Sequence, residues 1–165
     1  FTLSCLTRRH IDWLASLKSS RVAFDDFFLC HGTPDRDDRY LLVDVESTGV
    51  VARSAEDVRE ELGEVGSPFI LCGHDHTPRV VPLPEKRLVV NPGSVGLPAY
   101  TDDHPYPHAM QTGSPHARYC ILTRTGETSR EEQIKVRYDW NTTAAMAAEN
   151  GRPDWAYWLR TGLAD

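Results

Sequence analysis

One stretch decides the fold of this chain: residues 68–77, which read PFILCGHDHT. Its first half is a short apolar run bounded by Pro and Gly, which is typical of a buried strand. His74 and His76 follow the run, directly after Gly73. Side chains two residues apart on an extended backbone point the same way, so we expect these imidazoles to lie side by side at the end of a strand. Gly73 lets a ligand approach the backbone closely.

Two further apolar runs end in the same way. Residues 26–30 (DFFLC) lead into His31 and Gly32, and residues 87–90 (RLVV) lead into residues 91–96 (NPGSVG). In open α/β sheets ligands bind at the carboxyl ends of the strands, so we expect the three loops to converge on one cleft. Neutral imidazole is the commonest protein ligand for Zn, Mn, Fe and Ni ions, and the His74–His76 pair is therefore a candidate metal site.

Length and composition fit one globular domain. The chain has 165 residues, 40% apolar, and we expect a single domain over residues 1–165 with a helical tail over about 141–165. The net charge is −6 and no run of Lys or Arg occurs, which argues against a nucleic-acid surface. No stretch is long enough to span a bilayer. The four cysteines have no CxxC spacing, and they indicate a reduced, cytoplasmic setting.

The remaining pattern predicts a mixed α/β domain. Helices are predicted from about Arg8 to Leu17 after a Thr7 cap, from Ser54 to near Gly63 or Gly66, and over residues 142–149 and 153–159. Strands are predicted over residues 21–24, 26–30, 40–45, 69–72, 80–81 and 88–90, and a hairpin over residues 118–123 and 133–138. Residues 100–114 are predicted to form a long polar loop.

Three motifs, in this order, resemble the second half of the calcineurin-like metallophosphoesterases: His31-Gly32, Gly73-His74-Asp75-His76 and Asn91-Pro92-Gly93-Ser94. Within that family the small bacterial phosphodiesterases of the YfcE type are the most similar. The resemblance implies an α/β fold, a four-layer αββα sandwich of two packed sheets with helices outside. It also implies two divalent metal ions, with His31 and His74 as ligands of one and His76 of the other. Mn²⁺ is expected first, with Zn²⁺, Fe²⁺ or Ni²⁺ as alternatives.

The first-half motifs of that family are not found in this chain. They are Asp-x-His, Gly-Asp and Gly-Asn-His-Asp/Glu, whereas the 30 residues before His31 contain one histidine, His10, which we expect on a helix surface. The bridging aspartate and the proton donor are therefore expected upstream. We expect an incomplete sandwich that lacks its N-terminal βαβ units, the C-terminal part of an enzyme. Histidines alone leave two cations strongly positive, so we expect weak metal binding and little hydrolysis by this chain.

Two functions are consistent with these residues. The first is a metal-dependent phosphoesterase that cleaves a phosphorylated small molecule or a phosphodiester with metal-activated water. The alternative is a catalytically inactive metal-binding or regulatory module derived from that fold. Neither hypothesis involves a membrane or nucleic-acid partner. Arg36 and His116 are the candidate substrate-binding residues, although a solvated loop charge is the simpler interpretation of Arg36.

Simpler roles are available for several polar residues. The histidine pair itself could be a turn without a metal. Cys30 precedes a histidine, but neighbouring strand residues point to opposite faces, so a structural thiol is expected rather than a catalytic dyad. Asn91 is expected to shape the Pro-Gly turn, and Asp75 to lie at the surface or behind the metal ligands. His104 and His108 are expected to be exposed or to belong to a substrate loop.

Overall fold

The computed structural model describes residues 2–126 and 128–164 of the chain. The helices are α1 (Thr2–Cys5), α2 (Arg8–Ala15), α3 (Ala55–Leu62), α4 (Trp140–Glu149) and α5 (Pro153–Thr161). The strands are β1 (Ser20–Ala23), β2 (Phe27–Cys30), β3 (Val43–Glu46), β4 (Gly49–Ala52), β5 (Phe69–Leu71), β6 (Arg79–Leu83), β7 (Arg87–Asn91), β8 (Ala99–Asp102), β9 (His108–Gln111), β10 (Ala117–Thr125) and β11 (Thr128–Val136).

A five-stranded sheet in the order β1-β2-β5-β7-β6 organises the molecule. Its three central strands β2, β5 and β7 are parallel, and the edge strands β1 and β6 are antiparallel to their neighbours. The register aligns Phe28 with Ile70 and Ile70 with Val89. The three predicted strands that end in polar loops are thus adjacent and parallel, so their loops meet at one edge of the sheet.

One face of this sheet carries the main hydrophobic core. Ile70 and Val89 lie fully buried against Val58 and Leu62 of α3. Helix α3 begins where the sequence predicts, because Ser54 accepts from the Asp57 N–H and Asp57 accepts in return. The apolar side chains of α3 recur at helical spacing, so a single face of the helix covers the sheet.

The other face of the sheet lies against the hairpin β10–β11. Leu71 and Val90, next to the core residues in sequence, point the opposite way and line a cavity with Cys120 and Leu122 of β10. Polar contacts hold the hairpin in place: the Arg118 N–H donates to the Ser94 carbonyl at 3.0 Å, and the Gln133 amide to the Asn91 carbonyl at 3.3 Å. Helix α3, the sheet and the hairpin are three layers of the expected sandwich.

Two sequence predictions need correction. Residues 100–114 are not one long loop, because β8 and β9 form an antiparallel hairpin that pairs Tyr100 with Met110. The sequence does not show the alternation of apolar and polar side chains that marks a strand, because one of the buried side chains is a histidine, His108. The two prolines of this segment lie in the connection between the strands and do not interrupt them. The strand predicted over residues 40–45 begins only at Val43, and it pairs with β4, which was not predicted.

Helices α4 and α5 form the C-terminal part of the chain, and α5 packs against the β8–β9 hairpin. Pro153 occupies the first turn of α5, as predicted, and Trp158 contributes to a small core around Ala99. The Gly162 carbonyl accepts from the N–H groups of Thr112 and Gly113 at 3.0 and 2.9 Å. Among the described residues, none of the five helices has the length and apolar sequence that crossing a membrane requires.

Candidate functional site

The loops after β2, β5 and β7 surround a cavity of about 440 Å³ at the carboxyl edge of the sheet. His31, His74 and His76 all line this cavity, together with Gly93 and Ser94 of the third loop. We call it the three-histidine cavity. The convergence expected from the sequence is therefore found, because parallel neighbouring strands deliver their following residues to the same edge.

His31 and His74 are direct neighbours. Their ring centroids lie 5.0 Å apart, and the Gly73 N–H donates to the His31 carbonyl at 2.8 Å, which ties the two loops together. A Cβ atom at Gly73 would lie 3.7 Å from Nδ1 of His31, which is an ordinary van der Waals distance. The space beside the first imidazole therefore does not by itself require a glycine at this position.

The backbone at His74 and His76 is not extended, contrary to the prediction. Strand β5 ends at Leu71, and the two histidines have φ values of 65° and 56°. Non-glycine residues rarely adopt this left-handed region, and such strain concentrates at functional sites. The two imidazoles reach one cavity because the chain turns at each of them, not because a strand alternates.

A buried polar network holds this turn. Asn91 donates from Nδ2 to the Gly73 carbonyl at 2.9 Å and to Oδ1 of Asp75 at 2.7 Å. The Thr77 N–H also donates to Asp75, and the Gly93 N–H to Oδ1 of Asn91 at 2.9 Å, so the predicted turn-shaping role of Asn91 is confirmed. Asp75 is not at the surface, and burial raises the pKa of its carboxyl group to about 6.

Two tyrosines position the histidine pair from behind. The Tyr40 ring stacks on His74 with centroids 4.5 Å apart, and the Tyr100 ring meets His76 edge-on at 5.0 Å. The two hydroxyls are 2.8 Å apart, and the Tyr100 hydroxyl donates to the His74 carbonyl at 3.1 Å. His108 completes the group: it is buried, not exposed as expected, and its Nε2 lies 3.2 Å from the Tyr40 hydroxyl.

The environment favours neutral imidazoles. Burial lowers the pKa of His74, and the neighbouring His31 lowers it further. Burial also lowers the pKa of His76. Nδ1 of His76 lies 2.8 Å from the Leu97 carbonyl, which can only accept, so Nδ1 carries the hydrogen and Nε2 is the nitrogen available to a ligand. Neutral imidazole is the form that binds metals.

The donor set does not complete the two-metal site that the resemblance implies. Within residues 2–126 and 128–164, no three His, Cys, Asp or Glu side chains are arranged to hold a metal ion together. Asp75 is engaged in the buried network and does not line the three-histidine cavity. Three neutral imidazoles without a carboxylate can contribute ligands, but they leave the charge of two divalent ions uncompensated.

The thiol beside the first histidine has a structural role, as expected. Sγ of Cys30 lies 3.3 Å from the Gly32 carbonyl, and burial raises the pKa of this thiol to about 11. A thiol with this pKa is not a nucleophile near neutral pH. All four cysteines of the chain are free.

The structure does not bring the two candidate substrate-binding residues to the cavity. Arg36 is exposed and forms a bidentate ion pair with Asp38, with both N–O distances 3.0 Å. His116 lies against Trp140, and its Nδ1 is 2.9 Å from the Ser114 hydroxyl. The cation that lines the cavity is Arg118, which the sequence analysis missed because an arginine in an alternating strand is typical of a solvent-facing position.

Gly32 fixes the first loop by its lack of a side chain. A Cβ atom at this position would come within 2.6 Å of the Arg36 carbonyl oxygen and 2.9 Å of that of Asp37, and it would also collide with the carbonyl of Arg39. The loop after His31 therefore folds back over the glycine. This close approach requires a residue without Cβ although its backbone angles are ordinary.

Comparison with known proteins supports the fold. No protein-family profile matches the sequence, and no curated protein sequence is similar enough to count as a relative. A solved structure of a metallophosphoesterase from Sphaerobacter thermophilus aligns with a TM-score of 0.69 at 20% identity, over 98% of this chain and 66% of that one. A Vps29 mutant from Entamoeba histolytica aligns at 13% identity over 74% of this chain and 63% of the other, with a TM-score of 0.39. This chain, which spans just under two thirds of the Sphaerobacter protein, has the metallophosphoesterase fold.

Proposed function

We propose that this chain contributes to the active site of a metal-dependent phosphoesterase that hydrolyses phosphomonoesters or phosphodiesters with metal-activated water. The observation that supports the proposal is the placement of three imidazoles around one cavity, at the carboxyl edge of a sheet with the metallophosphoesterase fold. Two of these imidazoles are held neutral by burial and have ring contacts that fix their orientation.

His31, His74 and His76 are the proposed metal ligands. Bound divalent ions would neutralise phosphate charge and make hydroxide available near neutral pH. Other residues of this chain would orient these ligands. Tyr40 stacks on His74 and fixes the plane of its imidazole, and the Leu97 carbonyl fixes the tautomer of His76. Mn²⁺ is the first candidate, and Zn²⁺, Fe²⁺ and Ni²⁺ suit the same nitrogen donors.

The remaining ligands are proposed to come from a segment outside this chain. The Sphaerobacter protein is longer, and this chain aligns with 66% of it. Carboxylates from such a segment would bridge the ions and supply the negative charge that three imidazoles lack. In this proposal the chain is the C-terminal part of a YfcE-type enzyme that works in the cytoplasm.

A second candidate is a catalytically inactive metal-binding or regulatory module. The specific observation in its favour is that, among the described residues, no group of three potential ligands is arranged around a metal position. A module of this kind would bind a metal weakly, or only together with a partner, and would hydrolyse nothing.

Metal titration of the chain tests the ligand assignment. We expect Co²⁺ to bind weakly, with a visible absorption band from nitrogen coordination, and His74→Ala or His76→Ala to weaken the binding about tenfold or more. His104→Ala is the matched control, because this histidine is almost fully exposed. Equal Co²⁺ affinity in all the variants would exclude His74 and His76 as ligands.

Hydrolysis of bis(p-nitrophenyl) phosphate separates the two candidates. The protein expressed from its own gene, with any coding sequence upstream of position 1 included, is assayed with Mn²⁺ and after chelation. Metal-dependent turnover that His76→Ala reduces by at least about a hundredfold supports the enzyme. Absence of turnover in a folded protein that still binds Mn²⁺ supports the inactive module.

A further inference from the structure

The side chain of Arg118 is largely buried, and its guanidinium lacks a counter-ion among the described residues. Its residue is 7% exposed, and Nε has no hydrogen-bond partner within residues 2–126 and 128–164. Other arginines of the chain do have such partners: Arg53 pairs with Asp44 and Glu61. Arg118 is therefore an exception that its own surroundings do not explain.

An arginine cannot escape this situation by losing its proton. Its pKa is so high that the side chain stays charged in proteins, even though burial lowers the pKa of Arg118. A buried charge without a partner is strongly unfavourable, and proteins keep such charges paired or use them to bind ligands. The arrangement is suited to binding an anion in the space in front of the guanidinium.

That space is the three-histidine cavity. Arg118 lines it together with His31, His74 and His76, and among the described residues no Asp or Glu lines it. Apolar side chains of Leu71 and the neighbouring strands form much of the remaining wall. Because Arg118 is the cationic side chain of this wall and no described carboxylate lines it, the cavity carries a positive potential.

The backbone holds Arg118 in this position. Its N–H donates to the Ser94 carbonyl at 3.0 Å, and its Cδ lies 2.9 Å from where a Cβ at Gly93 would be. Gly93 has a φ of 86°, so glycine is favoured there for its conformation and for the space that the arginine occupies. The third strand-end loop thus acts as a platform for the guanidinium.

We propose that Arg118 is the phosphate-recognition residue of the three-histidine cavity. The proposal rests on the proposed phosphoesterase function, since it assigns the group that holds the phosphate of the substrate beside the imidazoles. A guanidinium presents paired N–H donors that match two oxygens of a phosphate, and a cavity of about 440 Å³ accommodates a small phosphate ester.

The test is inorganic phosphate binding by the 165-residue chain in the presence of EDTA, measured by calorimetry and by the shift of the thermal midpoint. We expect Arg118→Met to weaken phosphate binding about ten- to a hundredfold. Arg118→Lys, which keeps the charge but loses the paired donors, is expected to fall between wild type and Arg118→Met. Arg130→Met, on the exposed side of the same hairpin, is the matched control and should bind like wild type.

A stability readout separates recognition from a structural role. Without phosphate, Arg118→Met should melt at the same temperature as wild type or higher, because it removes an unpaired buried charge. A lower midpoint together with unchanged phosphate affinity would overturn the proposal. So would acetate raising the wild-type midpoint as much as phosphate does at equal concentration, since the cavity would then show no preference for phosphate.

Failure of this inference and failure of the proposed function give different results. Phosphate binding that persists in EDTA and depends on Arg118 supports the inference even if the chain binds no metal. Histidine-dependent Co²⁺ binding with no effect of Arg118→Met on phosphate leaves the metal proposal intact and removes only the role of Arg118.

Discussion

The five-stranded sheet and helix α2 use their apolar side chains in opposite ways. In the sheet, Ile70 and Val89 are completely buried against α3. In α2, which the sequence predicts from its apolar spacing, Ile11 is 39% exposed and Trp13 is 61% exposed, and no described residue of the helix is buried. Both segments have the periodicity of a packed element, but among the described residues only the sheet buries its apolar side chains completely. The difference teaches that periodicity predicts the element and not its contacts.

The largest effect in this comparison is expected from truncating the same side chain in both regions. Ile70→Ala removes packed atoms from the main core and should lower the free energy of unfolding by about 3–4 kcal/mol. Ile11→Ala on α2 should cost less than about 0.5 kcal/mol, since little is packed against it. Urea denaturation followed by far-UV circular dichroism measures both. Similar losses for the two variants would mean that α2 is packed after all.

The polar network under the histidine turn should be the next most sensitive element. The side chain of Asn91 is fully buried and makes three hydrogen bonds, of which it donates two and accepts one. Asn91→Ala removes all three and should lower the free energy of unfolding by about 2–3 kcal/mol. Asn141→Ala, at the exposed start of α4, serves as the control and should be neutral within about 0.5 kcal/mol. If Asn91→Ala denatures at the wild-type urea concentration, the network does not stabilise the turn.

The hydroxyls of Tyr40 and Tyr100, behind the histidines, should make a smaller contribution to the free energy of unfolding, and the two contributions should depend on each other. Tyr40→Phe and Tyr100→Phe each keep the ring and remove a hydroxyl, at an expected cost of about 1 kcal/mol each. Because the two hydroxyls share one hydrogen bond, the double variant should lose less than the sum of the single losses. A double-mutant cycle by denaturant titration measures the coupling. Strict additivity would place the hydroxyls in separate environments.

The two capping boxes, one at α3 and one at α2, are expected to contribute no more than about 1 kcal/mol to the free energy of unfolding. Ser54→Ala at the start of α3 should lower the free energy of unfolding by about 1 kcal/mol, because α3 unfolds with the core. Thr7→Ala at the start of α2 should leave the urea midpoint unchanged while amide exchange within α2 becomes faster. A shift of the urea midpoint by Thr7→Ala would show that the helix and the sheet unfold as one unit.

The sequence predicts the sheet and its loops well because their signals are local. The apolar runs that end at His31 and His74 are visible in the sequence itself, and each marks a strand and the loop after it. The metallophosphoesterase fold agrees with the family resemblance of these motifs. The left-handed backbone of His74 could not be read in this way, because non-glycine residues adopt it only when tertiary contacts hold them there.

Residues that act across the fold were missed for a related reason. Tyr40 reaches His74 from 34 positions away, and Arg118 reaches the cavity from a strand whose alternating polar residues gave no sign of burial. Neither has a neighbour in the sequence that marks it as part of a site. The sequence predicts a loop around His108, because the signal of the β8–β9 hairpin depends on the burial of this polar residue.

Because Gly32 has no Cβ atom, the loop after His31 can close tightly over it, and this closure influences the distance between the imidazoles of His31 and His74. The three carbonyl oxygens that close over this position belong to residues 36, 37 and 39, and Tyr40, which follows them, stacks on His74. A larger residue at position 32 would push these carbonyls outward and carry the tyrosine ring away from the second loop. The separation between His31 and His74 is therefore set not only by the sheet but by how tightly one short loop can close, and remodelling of that loop would alter the geometry available to any ion.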